Sequence, residues 1–382
     1  MISTFFGIFS QLGKKIKTGD FLKIKILVSL SLFLLCSCEK EVLPLSESSY
    51  ENSSPLYEES EILYESSASV SEVFYEKKEP IRFLYGKSLL SAEEKKAYEI
   101  IDKAIRSFSS SAKIEGITDT KIKQILEYYL SDNPDIFQLS DSYKLISKGD
   151  KITLEFSYVL DKESYYEKLS EVEAASEKII KDAENKSDYN KALAIHNFLC
   201  KEVSYAKTEN SYSIFGALAE KKAVCEGYSK AFKYLAEKLG LRSIVVPGEA
   251  SSVPHSWNMV EISGKFYHLD ITNDDYADTT IYSHFLITEE EMRSAAAASD
   301  MPLPKSTSRA DNYYIKEGLF LSDFNPNKIE KLLSSFSENL PLRFAENSQR
   351  EAAKKFILSK GYSVITAKTG IENKIFDLTV KI

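Results

Sequence analysis

The chain has 382 residues, of which 43% are hydrophobic and 28% are charged, a composition usual for globular proteins. This length allows two or three domains with buried cores. The formal net charge of −8, together with the lack of a basic patch interleaved with aromatic residues, argues against a nucleic-acid partner.

The first 38 residues are predicted to be a lipoprotein-type signal peptide. Several lysines precede the apolar run ILVSLSLFLLCS at 26–37, which is shorter than the roughly 20 residues of a membrane-spanning helix. The run ends in L-C-S-C-E, which resembles the lipidation signal of bacterial lipoproteins with Cys38 as the modified residue. This resemblance implies a lipid anchor that holds the protein at the cell envelope, outside the cytoplasm, in the periplasm or at the cell surface. An ordinary cleaved signal peptide is the alternative.

Residues 39–87 are predicted to form a disordered tether. Ser and Glu occupy 21 of the 41 positions between 39 and 79, so this segment has too little apolar surface to order itself. The tether would separate the membrane anchor from the folded part of the chain.

Residues 88–162 are predicted to form a small N-terminal α+β domain. The predicted elements are helices over 91–108 and 118–134, and a hairpin over 143–158. Ser91 and Glu94 have the spacing of a capping box, which marks the start of the first helix.

The central part of the chain combines long helices with a hairpin. The predicted elements are helices over 163–185, 187–206 and 225–239, a buried strand over 241–250 and a hairpin over 255–271. His196 and Cys200 lie on the apolar stripe of the second helix, which indicates two core residues. Gly240 ends the third helix at the position that favours a left-handed residue.

The hairpin places a histidine near a carboxylate. If Ser263 and Gly264 form its two-residue turn, residues that face each other have numbers that sum to 527. His255 and Asp270 are then diagonal neighbours on one face, about 7–8 Å apart between Cα atoms. That distance is within reach of a hydrogen bond between the imidazole and the carboxylate.

Cys225 opens the helix that precedes this hairpin. The partial positive charge and the free N–H groups of a helix N-terminus favour thiolate over thiol, and they could also receive an oxyanion. A nucleophile, a base and an orienting carboxylate therefore occur in the order Cys225, His255 and Asp270. The alternatives for Cys225 are a plain core cysteine, a disulfide with Cys200 and a metal ligand, although the sequence has no metal-binding motif.

Three segments together resemble the bacterial transglutaminase-like superfamily. They are AVCEGYS at 223–229, HSWNMV at 255–260 and HLDITNDD at 268–275. The resemblance implies an α+β fold with a papain/transglutaminase-like core, in which an N-terminal catalytic helix packs on an antiparallel sheet, with small α+β flanking regions. We expect 163–310 to form this core and 311–382 to form a C-terminal α+β extension that serves as scaffold.

The same resemblance implies a role for each triad residue. Cys225 would be the nucleophile, His255 the general base and acid, and Asp270 the residue that orients His255. Ile271 and Asn273 stand where the family usually has Pro and Trp, which leaves the substrate class open.

The implied activity is cysteine-dependent acyl transfer on protein or peptide amides, as in a peptidase, an amidase or a transglutaminase. The alternative is a catalytically silent binding or adhesion module displayed on the cell envelope. No cofactor or metal is expected.

Four further features near the triad have two interpretations each. Tyr212 is predicted either to reach the oxyanion site or to pack in the core, and Trp257 either to wall the thiolate pocket or to fill the core beside it. His268 is either a partner of Asp270 or a packing residue. The acidic run 273–275 with Asp278 could hold Ca²⁺, but a solvated loop is the favoured interpretation.

Overall fold

A computed structural model describes residues 26–29, 77–276, 279–293, 295–298, 300–366 and 376–382. Cys38 and most of the predicted tether lie outside these ranges. Within them, no helix has both the length and the apolar character that crossing a membrane requires.

The N-terminal region combines three helices with an antiparallel sheet. In chain order its elements are β1 (Ile26–Ser29), α1 (Tyr85–Ser88), α2 (Ala92–Arg106), β2 (Ser111–Glu115), α3 (Asp119–Asp132), β3 (Leu139–Lys148) and β4 (Lys151–Tyr158). The strand order is β1-β3-β4-β2. The Ser91 side chain accepts from the Glu94 backbone N–H while the Glu94 carboxylate accepts from the Ser91 backbone N–H, so the predicted capping box is present. The three elements predicted from the sequence in this region are therefore found.

The end of the predicted tether is part of the folded structure. The backbone N–H of Ile81 donates to the Glu237 carbonyl at 2.9 Å, and that of Phe83 donates to the Glu237 carboxylate at 2.8 Å. The Lys233 ammonium in turn donates to the Phe83 carbonyl at 2.9 Å. Residues 77–87 therefore belong with the folded part rather than with the tether predicted for 39–87, because their apolar side chains pack against a buried cluster.

The central region supplies the sheet on which the rest of the molecule packs. Its elements are α4 (Lys162–Ala183), α5 (Asp188–Glu202), β5 (Ser204–Tyr205), a π-helical turn (Phe215–Ala219), β6 (Lys222–Ala223), α6 (Cys225–Lys238), β7 (Ser243–Ala250), β8 (Val253–Ile262), β9 (Lys265–Leu269), α7 (Ile271–Asp274), β10 (Asp275–Tyr276), β11 (Thr279–Thr280), α8 (Glu289–Arg293) and β12 (Ala297–Ala298). The main sheet is antiparallel in the order β12-β7-β8-β9.

This central sheet lies between two hydrophobic cores. Val246, Trp257 and Met259 belong to a core shared with the N-terminal helices, whereas Val260 and Leu269 belong to a core shared with α5, α6 and the C-terminal region. The alternation follows from the period of two along a strand, which sends neighbouring side chains to opposite faces. The N-terminal, central and C-terminal regions thus share two cores, one on each face of this sheet.

The C-terminal region forms a further layer with a mixed sheet. Its elements are α9 (Tyr313–Lys316), β13 (Phe320–Leu321), α10 (Pro326–Ser335), β14 (Leu340–Phe344), α11 (Asn347–Ser359), β15 (Ser363–Ile365) and β16 (Phe376–Lys381). Its strand order is β13-β14-β16-β15, with β13 parallel to β14 and the other pairs antiparallel. The predicted α+β fold class is confirmed across the described part of the chain.

Candidate active site

Cys225 is the first residue of α6 and lies almost fully enclosed, with 6% of its surface exposed. The preceding residue, Val224, provides no side-chain cap, and its own N–H donates to the Ser211 carbonyl at 3.0 Å. A Cβ atom on Gly227 would lie 2.3 Å from the same carbonyl oxygen, so only glycine fits between α6 and this segment. The start of α6 therefore packs against the Ser211 segment, and no side chain caps the helix N-terminus where Cys225 lies.

The predicted hairpin register is present from the turn to the middle of the strands. Ile262 pairs with Lys265 and Asn258 pairs with Leu269, both of which satisfy the predicted sum. The ladder then ends, because Asp270 caps α7 through its side chain and does not continue β9. The strand pairs predicted for Trp257 with Asp270, and for His255 with Thr272, are therefore wrong.

His255 and Asp270 nevertheless meet. The His255 Nε2 lies 2.6 Å from the Asp270 Oδ2, and both side chains are buried. Because Asp270 engages Nε2, the other ring nitrogen of His255 is the one available to Cys225. Burial lowers the pKa of His255, but the charge and hydrogen bond of Asp270 and the contact with Cys225 outweigh it and raise that pKa well above 6.5.

Asn273 is a partner of Asp270 that the sequence analysis missed. Its backbone N–H donates to the Asp270 Oδ1 at 3.3 Å, and its amide Nδ2 donates to the Asp270 Oδ2 at 2.7 Å. Burial raises the pKa of Asp270, but the charge and hydrogen bond of His255, the charge of His284 and the backbone hydrogen bond of Asn273 prevail and hold it below 3.8. An Asp three residues before Asn has the spacing of a helix N-cap, and this spacing was the available signal.

Trp257 packs beside the triad histidine. Its ring lies roughly parallel to the His255 ring, with 6.1 Å between centroids, and its indole N–H donates to the His268 Nδ1 at 3.0 Å. His268 is thus the partner of Trp257 rather than of Asp270. Burial, followed by the charge of Arg293, lowers the pKa of His268 to about 4, so this imidazole is neutral near pH 7.

Tyr212 contributes no hydrogen bond to the triad. Its hydroxyl is buried and has no hydrogen-bond partner among the described residues. The oxyanion role predicted for Tyr212 therefore stays a prediction.

Cys200 is a core thiol, as predicted. Its Sγ lies 3.9 Å from the His196 Nε2, and burial raises its pKa well above 9.0. Cys200 and Cys225 are both free thiols, so the alternative of a disulfide between them is wrong.

The acidic run 273–275 is not the solvated loop that the sequence favoured. Asp274 is fully buried and accepts from histidines, and Asp275 accepts from the Tyr228 hydroxyl at 2.7 Å. Asp278 lies outside the described residues. The carboxylates of this run accept hydrogen bonds from buried donors, and composition alone does not show such donors.

Residues 173–271 match the model of a protein family described as the Transglutaminase-like superfamily. This segment contains Cys225, His255 and Asp270. It is a transglutaminase-like core. No curated protein matches the chain.

Solved structures of related description also resemble parts of the chain. A crystal structure of a TGase is 20% identical over 43% of this chain and 51% of that chain, with a TM-score of 0.24. A "Putative Cysteine Protease" from Cytophaga hutchinsonii is 16% identical over 44% of this chain and 63% of that chain, with a TM-score of 0.25. The periplasmic domain of TgpA from Pseudomonas aeruginosa is 12% identical over 36% of this chain and 60% of that chain, with a TM-score of 0.22. The chain thus covers less than two thirds of each of these structures.

Proposed function

We propose that this protein catalyses cysteine-dependent acyl transfer on protein or peptide amides. Cys225 is the nucleophile, His255 the general base and acid, and Asp270 the residue that orients His255. The observation that carries the proposal is the 2.6 Å contact between His255 and Asp270, with Cys225 among the groups that raise the pKa of His255.

The proposed reaction has two steps. The Cys225 sulfur attacks the amide carbonyl carbon, an S–C bond forms, and the C–N bond breaks as His255 gives its proton to the departing amine. Water or a second amine then attacks the thioester carbonyl carbon, and the S–C bond breaks to release the Cys225 thiolate. Water gives hydrolysis and an amine gives cross-linking. His255 accepts the proton of the incoming water or amine, which restores the starting state.

The oxyanion of each step would be held at the start of α6. The backbone N–H of Cys225 lies at the helix N-terminus, where the partial positive charge favours a negative oxygen. The Trp257 indole is not a free donor, because it already donates to His268. Tyr212, whose buried hydroxyl lacks a partner in the described part of the chain, is our proposal for the second donor.

The near-complete enclosure of the triad restricts what can reach it. Only 6% of Cys225 and 8% of His255 is exposed. The reacting amide must therefore project from the surface of the substrate, as the carboxamide of a glutamine side chain or an extended peptide segment does.

Iodoacetamide labelling, followed by peptide mapping across a pH series, tests the proposal. We expect Cys225 to react faster than free cysteine at neutral and mildly acidic pH, because the raised pKa of His255 keeps an imidazolium beside the Cys225 sulfur. Cys200 is an internal control within the same chain, since its raised pKa should keep it unreactive although it is as buried as Cys225. The replacements His255→Asn and Asp270→Asn should each slow the reaction of Cys225.

The same samples distinguish the possible outcomes. If Cys225 labels no faster than free cysteine, catalysis is ruled out and the silent binding module takes its place. Casein incubated with an amine donor then separates hydrolysis from amine incorporation, with Cys225→Ala as the inactive control. The peptide map also shows whether mature Cys38 carries the lipid that we propose as the anchor to the envelope.

A further inference from the structure

A second buried cluster lies beside the triad. Asp274 Oδ2 is 3.1 Å from His196 Nε2, and Asp274 Oδ1 is 3.1 Å from His284 Nδ1 and accepts the His284 backbone N–H at 2.9 Å. All three side chains are buried, Asp274 and His196 completely. The proposed reaction uses none of them.

The short helix α7 connects this cluster to the triad. Asp270 caps the first turn of α7, and Asp274 is its last residue. The Asp270 backbone N–H donates to the His284 carbonyl at 3.0 Å, and the Asp274 N–H donates to the Asp270 carbonyl at 3.2 Å. His284 is therefore bonded at both ends of α7, to the backbone of Asp270 and to the carboxylate of Asp274.

We propose that His196, Asp274 and His284 are positioning residues that hold Asp270 in the orientation that meets His255. The proposal rests on the function proposed above. A helix of four residues is far below the length that is stable by itself, so the orientation of Asp270 has to come from outside α7. His196 supplies one fixed point from α5, and His284 supplies the other from the loop that follows β11.

The cost of burying Asp274 supports a specific role over simple packing. Removing a carboxylate from water is costly, and apolar residues of similar volume often fill such a space with equal or better stability. Asp274 has a hydrogen-bond partner for each oxygen, which is the condition for keeping a buried charge in a fixed geometry.

Charged, thiol and aromatic groups pack around the cluster. Burial lowers the pKa of His284, but the Asp274 hydrogen bond and the charges of Asp274, Asp270 and Asp377 outweigh it and raise that pKa above 6.5. On the α5 side, His196 is followed by Cys200, and its ring stacks on Tyr282 at 5.3 Å. Arg343 approaches from β14 and binds Asp377 and the Ser283 carbonyl.

The replacement Asp274→Asn tests the proposal, because it keeps the size and exchanges one acceptor oxygen for a donor. We expect the labelling of Cys225 near pH 6 to fall about tenfold, toward but not beyond the rate of Asp270→Asn, because a misplaced Asp270 stabilises the imidazolium of His255 less well. The matched control is Asp132→Asn, another buried carboxylate, which accepts from the Gly86 and Lys87 N–H groups. It should lower the melting temperature without moving the pH profile of Cys225.

Two substitutions of His284 distinguish a positioning role from a packing role. His284→Asn keeps a donor near the place of Nδ1, whereas His284→Leu removes it. We expect the asparagine to retain most of the wild-type labelling rate and the leucine to lose it. Equal rates in both variants, with both proteins folded, would overturn the proposal.

A second measurement keeps this result independent of the proposed function. The low-field NMR signal of the proton between His255 and Asp270 reports their alignment, whatever Cys225 does. Loss of the signal in Asp270→Asn assigns it, and we expect Asp274→Asn to shift or broaden it. An unchanged signal in Asp274→Asn rejects the positioning role. A Cys225 that is unreactive already in the wild-type protein rejects the function instead.

Discussion

The pKa shifts of His255 and Asp270 are opposite in sign and have the same cause. Each group is buried, which disfavours its charge, and each is charged because the other lies 2.6 Å away. Asn273 adds two hydrogen bonds to the carboxylate and none to the imidazole. The carboxylate is thus the better fixed of the two groups, which suits a residue whose task is to orient its partner.

The buried pair should make stability depend on pH within a defined window. The pKa of Asp270 is lowered from 3.8, so its contribution is complete above that value and disappears as the pH falls through the folded-state pKa. The pKa of His255 is raised from 6.5, so its contribution is complete below that value and disappears as the pH rises through the folded-state pKa. Relative to wild type, Asp270→Asn should therefore lose most stability between pH 3.8 and 6.5, by about 3–5 kcal/mol.

Urea unfolding of both proteins over a pH series measures this difference. Ser229→Ala is the control, because it removes a hydrogen bond between hydroxyls that do not titrate in this range. Its loss of stability should be constant with pH. A constant difference for Asp270→Asn as well would show that His255 and Asp270 are not a charged pair.

At the scale of elements, the turn between β8 and β9 explains why the hairpin could be predicted. Ser263 and Gly264 both have positive φ, 50° and 79°, as a two-residue turn of this hand requires. Such a turn fixes the register of the strands, and a sequence shows it directly. The departure at Asp270 was not predictable from alternation, because the pattern of apolar residues continues while the side chain of Asp270 caps α7.

The partners of the triad were harder to predict than the triad. The three proposed catalytic residues occur in motifs whose spacing is local or set by one hairpin. His196 and Asp274 are 78 positions apart, and only the packing of α5 against α7 brings them together. The sequence favoured a solvated loop at 274 and 275, because composition does not show which hydrogen-bond donors pack against these carboxylates.

Gly227 in α6 provides a prediction at this scale. Alanine is ordinarily about 1 kcal/mol better than glycine inside a helix. Here the added Cβ would lie 2.3 Å from the Ser211 carbonyl oxygen and 2.9 Å from the Ala223 Cβ, so the backbone has to move. We expect Gly227→Ala to lower stability by about 1–3 kcal/mol and to slow the labelling of Cys225, because the start of α6 shifts.

A glycine elsewhere gives the matched control for this substitution. Gly318 has a φ of 69° and no atom within 4 Å of its Cβ position, so Gly318→Ala should cost about 1–2 kcal/mol through the backbone alone. It should leave the labelling of Cys225 unchanged. If Gly227→Ala is as stable as wild type, the close approach of Ser211 does not shape the site.

At the scale of the whole molecule, segments before and after the central region pack against it. Residues 81–83 bond to Glu237 and Lys233 near the end of α6, and the C-terminal layer packs on the core beneath the same helix. The scaffold role of 311–382 stays a prediction, and one contact links this segment to the His284 segment. The guanidinium of Arg343 donates to the Ser283 carbonyl at 3.1 Å, one residue before His284.

Asp377 should therefore affect both stability and the site. Its carboxylate receives two hydrogen bonds from the buried Arg343, at 2.6 and 2.8 Å, so Asp377→Asn leaves the buried guanidinium with the more distant Glu291 carboxylate, at 3.8 Å. We expect a loss of about 3–5 kcal/mol in urea unfolding. The exposed pair of Glu330 and Lys360 on the same layer is the control, since Glu330→Gln should cost at most about 1 kcal/mol.

The labelling of Cys225 in folded Asp377→Asn should also slow, because Arg343 holds the segment that carries His284. A stable variant with wild-type labelling would instead make the C-terminal layer independent of the active site.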